Sequence, residues 1–224
     1  MLSAIIVGAG SSTRVGFDKL FATLAGRPVI EHSIGAFERT KCVDEIIVVS
    51  RADRIDSLRA LTGQFRKVRA VVAGGQRRQD SVCAGLNAVL NADFVAVHDA
   101  ARPLITGKEI ERVFVAAVQH RAAALAAPMG ETLKIADRNH FVIGSIDREN
   151  VFAMQTPQIF ARDLLVKAYD RVGKDSLAIT DEVSAVEHAG GKVVIVRAED
   201  YNPKITFPND LAIAELILRM RKDG

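Results

Sequence analysis

The sequence predicts an α/β domain: a doubly wound, mostly parallel sheet carrying an inserted β-hairpin arm. Short β-branched runs alternate with longer amphipathic stretches from the N-terminus to Pro128, the order expected of successive βα units. Runs such as AIIV and EIIVVS are apolar without alternation, as strands covered on both faces require. After Pro128 the alternation breaks, and two short strand-like pieces face each other across a turn.

Taken in order, the strands are expected at Ser3 to Val7, Glu45 to Ser50, Val68 to Ala73, Phe94 to His98 and Ala122 to Ala127. Between them Pro28 to Arg39, Asp53 to Leu61, Gln79 to Leu90 and Thr106 to His120 place apolar residues at spacings of three and four, the stripe of a surface helix. Residues 129 to 160 hold the hairpin, with pieces at Thr132 to Ile135 and His140 to Ile146 joined by Asp137-Arg138-Asn139. Helices resume at Arg162 to Val172 and at Asp181 to Ala189, the second with Thr180 as its expected N-cap and Gly190-Gly191 as its stop. Lys192 to Arg197 and Lys204 to Phe207 read as strands, and Asn209 to Lys222 as a closing helix with Pro208 near its start.

The 224 residues form one expected domain, 1–224, with no internal repeat or linker. Hydrophobic content of 49% with 25% charged residues is ordinary globular composition and excludes general disorder. The net charge of +3 is spread among acids, which gives no nucleic-acid footprint. The apolar start MLSAIIVGAG ends too early for a membrane span or a signal segment. Cys42 and Cys83 lack metal or disulfide spacing. A cytoplasmic location without nucleic-acid or membrane partners is the expectation.

Chemistry in such a sheet is sought just past the strand ends. The first loop, Gly8-Ala9-Gly10-Ser11-Ser12-Thr13-Arg14, lets backbone N–H groups approach a phosphate chain. A dinucleotide fingerprint needs glycine where Thr13 stands, and no Gly-Lys pair is followed by Ser or Thr as a Walker A loop requires. What remains is a longer phosphate loop with Arg14 and Lys19 as cations, beside the plainer reading of a glycine-rich turn with solvated basic side chains. The fourth strand runs into His98-Asp99-Ala100-Ala101-Arg102-Pro103. Asp99 is placed to hold a divalent cation, since Mg²⁺ takes one or two carboxylates plus phosphate oxygens. His98 lacks a second ligand at metal spacing, which favours a packing or hydrogen-bonding role. No Gly-x-Ser-x-Gly elbow supports a hydrolase.

Gly8-Ala9-Gly10 with Arg14 and Lys19, Gly74-Gly75 with Arg78 and Ser81-Val82, His98 to Pro103, Asp147-Arg148, Thr156-Pro157-Gln158, Thr180-Asp181-Glu182 and Lys204-Ile205-Thr206 occur in this order along essentially the whole chain. Together they resemble the 2-C-methyl-D-erythritol 4-phosphate cytidylyltransferases. The resemblance implies a Rossmann-like sheet and transfer of CMP from CTP to methylerythritol phosphate, with Mg²⁺ and release of pyrophosphate, in non-mevalonate isoprenoid synthesis. It assigns Ala9, Gly10, Arg14 and Lys19 to the nucleotide phosphates and Gly75 and Ser81 to the cytosine. Asp99 serves metal and substrate, while Arg102, Thr132, Arg148 and Lys204 surround the acceptor; Arg14, Lys19, Arg148 and Lys204 are the expected catalytic groups. It also implies a homodimer built through the arm at about residues 129–150, so that Thr132 or Arg148 serves a neighbouring site.

The chain departs from the family pattern at three places. Gly8 stands where alanine is usual, Lys19 is flanked by Asp18 and Leu20 in place of proline and glutamine, and Gln76 replaces an acid after the Gly-Gly pair. Three other functions compete with methylerythritol phosphate transfer: a cytidylyltransferase for another polyol phosphate such as ribitol 5-phosphate, an NADP-dependent oxidoreductase using Arg51, and a non-catalytic nucleotide-binding protein. The oxidoreductase lacks a Tyr-x-x-x-Lys pair, Tyr169 and Tyr201 being the two tyrosines.

Overall fold

The computed structural model describes residues 1–10 and 18–221. Strands β1 (Leu2–Gly8), β4 (Glu45–Ser50), β5 (Val68–Ala73), β6 (Phe94–Asp99), β7 (Ala122–Pro128), β10 (Phe152–Ala161) and β11 (Val194–Arg197) make one seven-stranded sheet in the order β11-β7-β10-β6-β1-β4-β5. The β1/β4, β1/β6, β4/β5 and β7/β11 pairs are parallel, and β10 runs antiparallel to both neighbours. The fold class is therefore the expected one.

Successive side chains of a strand point to opposite faces, and β1 feeds two cores in this way. Leu2, Ala4 and Ile6 pack with Ile30, Ile34 and Phe37 of α1 (Val29–Arg39), Leu58 of α2 (Ile55–Thr62), Ile110 and Val113 of α4 (Gly107–His120) and Ala214 of α7 (Pro208–Met220). Ile5 packs on the other face with Val82 and Leu86 of α3 (Arg78–Ala88), Leu165 and Val172 of α5 (Arg162–Lys174) and Val186 of α6 (Glu182–His188). Burial on both faces accounts for the unbroken apolar runs in β1 and β4. Between β1 and α1 a small hairpin of β2 (Thr23–Leu24) and β3 (Arg27–Pro28) turns on Ala25 and Gly26 at φ 47° and 81°, the left-handed conformation of a tight hairpin turn.

The arm is a two-stranded ribbon of β8 (Leu133–Ala136) and β9 (Val142–Ile146). Asp137 Oδ1 accepts from the N–H groups of Asn139 and Phe141 and so shapes its turn. Phe141, Val142 and Ile143 are exposed on it.

Three sequence expectations are corrected. The segment that ends the arm region is β10, a ten-residue strand. Pro157 obscured it, because proline cannot donate to a central ladder. Here it falls where the β10/β7 register shifts between Met154 and Gln158, so no ladder N–H is required of it. Lys204 to Phe207 is an extended loop, not a strand: its alternation reflects the single buried Ile205, whose N–H donates to the Ala101 carbonyl at 2.8 Å. The cap of α6 is Asp181, which accepts from Ser184 N–H at 3.0 Å, rather than Thr180.

Candidate active site

A cleft opens where β1, β5 and β6 end, lined by Gly8, Ala9 and Gly10 on one side, Gly75, Gln76 and Arg78 on another, and Lys19, Asp99 and Lys204 across it. The parallel strands put their carboxyl ends here, which is why loops distant in sequence converge. Gly74 allows two of these loops to meet: a Cβ added to it would lie 2.6 Å from the Ala9 Cβ and 2.6 Å from Ser81 Oγ. Ser81 Oγ lies 3.2 Å from the Arg77 carbonyl and 3.4 Å from that of Gly75, so the hydroxyl also fixes the turn.

Asp99 is the electrostatic centre. Its Oδ1 takes Arg78 Nη1 at 2.6 Å, and its Oδ2 takes Lys204 Nζ at 3.0 Å and Arg102 Nε at 3.3 Å. Burial opposes its ionisation, yet Arg78, Lys204 and Arg102 together hold the carboxyl well below the usual range. For Arg78, burial works against the charge but Glu182 and Asp99 outweigh it, and its pKa stays above the ordinary value. For Arg102 the balance reverses: burial outweighs Asp99 and the pKa is lowered. Arg102 sits behind the cleft, its Nη1 bound to the Asn202 carbonyl at 2.8 Å.

The backbone of Asp99 is held separately. Its N–H donates to Thr156 Oγ1 at 3.0 Å, Thr156 Oγ1 lies 3.0 Å from His98 Nδ1, and His98 Nε2 lies 3.2 Å from the Arg102 carbonyl. A carbonyl can only accept, so Nε2 carries the proton and Nδ1 accepts from the threonine hydroxyl. Burial pushes His98 down to about 3, in keeping with a neutral ring. His98 therefore hydrogen-bonds and packs, 5.0 Å from the Phe37 ring, as the sequence suggested.

Of the residues read from the sequence, the structure brings Ala9, Gly10, Lys19, Gly75, Ser81, Asp99 and Lys204 to one cleft. Arg14 lies outside the described residues. Lys19 Nζ donates to the Ile205 carbonyl at 3.0 Å. Thr132 and Arg148 are exposed on the arm and do not line this chain's cleft, Arg148 binding the Gly130 carbonyl.

The departures around Lys19 have local partners. Asp18 Oδ2 pairs with Arg54 Nε at 3.1 Å, and the Asp18 carbonyl accepts from Phe21 and Ala22, so the extra acid is balanced by Arg54. Leu20 is buried, and its Cδ1 would stand 2.9 Å from a Cβ added at Gly8. The missing Cβ at position 8 thus leaves room for the Leu20 side chain.

The sequence reading gave no role to Thr156, Gln158, Asp181 or Glu182, although it singled out the motifs that contain them. Gln158 accepts from Val183 N–H at 3.1 Å and donates to Asp181 at 3.0 Å, which seats the start of α6 on β10. Glu182 binds Arg78 through Nε at 3.1 Å and Nη2 at 2.8 Å. The usable signal was polar side chains inside otherwise apolar segments, which require partners when buried.

Comparison with known proteins follows the same outline. The family model for 2-C-methyl-D-erythritol 4-phosphate cytidylyltransferase matches residues 2–220. The enzyme of that name from Caldanaerobacter subterraneus subsp. tengcongensis is 38% identical, covering 97% of this chain and 99% of its own length. That from Alkaliphilus oremlandii is 40% identical over 99% of this chain and 97% of its own. The crystal structure of 4-diphosphocytidyl-2C-methyl-D-erythritol synthase from Anaerococcus prevotii superposes with a TM-score of 0.87 at 30% identity, covering 98% of this chain and 96% of that one. With the full-length match and the cleft geometry in agreement, the chain belongs to the 2-C-methyl-D-erythritol 4-phosphate cytidylyltransferase family.

Proposed function

We infer that the chain is a cytidylyltransferase that moves CMP from CTP to 2-C-methyl-D-erythritol 4-phosphate and releases pyrophosphate, a step of isoprenoid biosynthesis. The observation that carries this reading is the set of cations around Asp99, at the ends of strands that also present a glycine-rich loop. Two polyanions must meet, and fixed cations offset their repulsion before the reaction begins.

The acceptor phosphate attacks the α-phosphorus of CTP in line, and the bond to pyrophosphate breaks. Lys19, with Arg14, stabilises charge on the nucleotide phosphates; Lys204 holds the acceptor phosphate, while Arg102, expected from the sequence to share that role, lies behind the cleft and acts on Asp99 Oδ2. Ala9, Gly10, Gly75 and Ser81 seat the nucleotide. No side chain needs to act as nucleophile or base, because a phosphate monoester is largely deprotonated at neutral pH.

Among the described residues no group of three or more His, Cys, Asp and Glu side chains forms a cation cage. Asp99 is the carboxylate that lines the cleft, and both its oxygens already face cations, so it would hold a divalent ion brought in with the nucleotide phosphates only in exchange for a contact now made at Oδ2. Such an ion supplies Lewis-acid charge neutralisation at the phosphates.

The reading includes a homodimer, with the exposed apolar ribbon of the arm as the contact and Thr132 or Arg148 serving the partner's acceptor site. It also includes the cytoplasm, whose reducing conditions suit the free thiols of Cys42 and Cys83; among the described residues no helix is long and apolar enough to cross a membrane. The test is pyrophosphate release from CTP with methylerythritol phosphate, compared with ribitol 5-phosphate and with UTP or ATP. Turnover restricted to CTP and methylerythritol phosphate, and abolished by excess chelator, is expected. Equal rates across acceptors or nucleotides, or full activity in chelator, would contradict the reading.

A further inference from the structure

Glu182 is fully buried and does not itself line the cleft. Its two oxygens take Nε and Nη2 of Arg78, and the Tyr169 hydroxyl donates to Oε1 at 3.2 Å. The remaining terminal nitrogen of Arg78, Nη1, is the one that binds Asp99 Oδ1 at 2.6 Å. The guanidinium therefore has one edge committed to Glu182 and its other end to Asp99. A planar fork held on one edge has no freedom to turn on the other.

The anchor of this chain of contacts is itself fixed. Asp181 caps α6, and Gln158 of β10 binds both Asp181 and the Val183 N–H. The same strand supplies Thr156 to the Asp99 N–H, so β10 holds the Asp99 backbone directly and its carboxylate through the start of α6 and Arg78. Burying an ion pair gives little or no net stability compared with an apolar pair of the same volume. Stability alone thus gives no reason for a carboxylate with no exposed surface at this position.

We propose that Glu182 is a positioning residue for cytidylyl transfer, acting through Arg78 to fix Asp99 Oδ1 and so reserve Asp99 Oδ2 for Lys204 and Arg102. Arg78 follows the turn that carries Gly75 and precedes Ser81 on α3, so the line Glu182–Arg78–Asp99–Lys204 ties the nucleotide side of the cleft to the acceptor side. This rests on the cytidylyltransferase reading given above. Removing the Glu182 charge frees the guanidinium to turn, and the reacting groups lose a common reference.

The experiment compares Glu182→Gln, Arg78→Gln and the double variant in the full chain, with kcat, both KM values and the melting temperature measured for each. Glu182→Gln is expected to lower kcat on the order of 10²-fold, the scale of a small misplacement, with the KM for CTP changed less than about threefold. Arg78→Gln leaves the buried Glu182 charge without its counter-ion and Glu182→Gln leaves Arg78 with Asp99 alone, whereas the double variant removes both charges, so its melting temperature is expected to recover above that of Arg78→Gln. Its kcat is expected to stay at that of Arg78→Gln, because Glu182 acts only through Arg78. Recovery of kcat together with melting temperature would make the pair merely structural and overturn the proposal, as would a wild-type kcat in Glu182→Gln. If Glu182→Gln does not fold, the comparison of Arg78→Gln with the double variant decides: equal kcat supports the relay, and a further fall in the double variant overturns it. A wild type that turns over CTP while these results go against the relay leaves the cytidylyltransferase reading standing; a wild type without turnover removes both.

Discussion

Lys204 Nζ stands 3.0 Å from Asp99 Oδ2, with the lysine side chain 43% exposed and the aspartate 8%. Both groups line the cleft, and the ammonium is much the more exposed of the two. On the function proposed above, an incoming acceptor phosphate would meet a cation that is already oriented, and its binding would exchange one anion for another at Lys204.

Lys204→Ala is expected to lower kcat by on the order of 10²-fold, the scale for removing one preorganised donor, and to raise the KM for the acceptor more than that for CTP. Because this lysine is substantially exposed, folding stability should change by no more than about 1 kcal/mol. Lys19→Ala should show a kcat loss of the same order without loss of the fold. Steady-state kinetics with each substrate varied, beside thermal melting, check both. A Lys19→Ala enzyme with wild-type kcat would remove that residue from the mechanism.

The pH dependence of stability should carry a His98 signature. Burial lowers its pKa from 6.5 to about 3, so between these values the unfolded chain binds a proton that the folded chain does not. Stability then rises with pH across that window and is lost as the solution is acidified through it. In His98→Gln this proton is absent, and the stability advantage of the wild type over the variant should shrink steadily as pH falls from 6.5 to about 3. Urea denaturation at stepped pH measures it; a constant gap would mean that burial does not shift the His98 pKa.

Much of the sheet was legible because burial on both faces leaves unbroken apolar runs, and Glu45–Ser50 and Val68–Ala73 have the expected limits. β10 was not, because its polar Gln155, Thr156 and Gln158 and its proline look like loop chemistry. Those polar groups are spent on neighbours that only the tertiary fold supplies: His98, Asp99 and the start of α6. In the site, groups at strand ends were legible from position and charge. Glu182 was not, since a helical glutamate looks the same in sequence whether it faces water or a buried guanidinium. Lys204 was found, though inside a segment misread as a strand.

The arm should be the assembly contact. Phe141, Val142 and Ile143 are 70%, 63% and 66% exposed on a ribbon with no core of its own, and such ribbons are marginal in water. Replacing Phe141 and Ile143 together by aspartate is expected to give a monomer by light scattering at micromolar concentration, with the domain still folded. If Arg148 serves the partner's site, mixing Arg148→Ala with Lys19→Ala chains restores part of the activity. A wild-type monomer with full activity would exclude the dimer.

The Gly8 and Leu20 pair should behave as a unit. A Cβ at position 8 would also lie 3.3 Å from the Val49 carbonyl, so Gly8→Ala is expected to destabilise by about 1–3 kcal/mol through overpacking. Adding Leu20→Gln, which removes the branched end, should recover part of this. Additive losses in the double variant, measured by thermal melting, would show that the two positions are independent.

The reversed strand β10 has a consequence for how the molecule comes apart. It lies between β6 and β7, which do not pair with each other; without it the sheet would be two fragments, β11-β7 and β6-β1-β4-β5. Every contact that crosses this seam joins residues far apart in sequence, and such contacts are formed late and slowly as a chain folds. The cation cluster sits against the same seam and draws on Arg78, Asp99, Thr156, Glu182 and Lys204 at once. Catalytic competence should therefore appear only in the last phase of refolding, and its return reports the closing of the sheet more sharply than recovered helix content does.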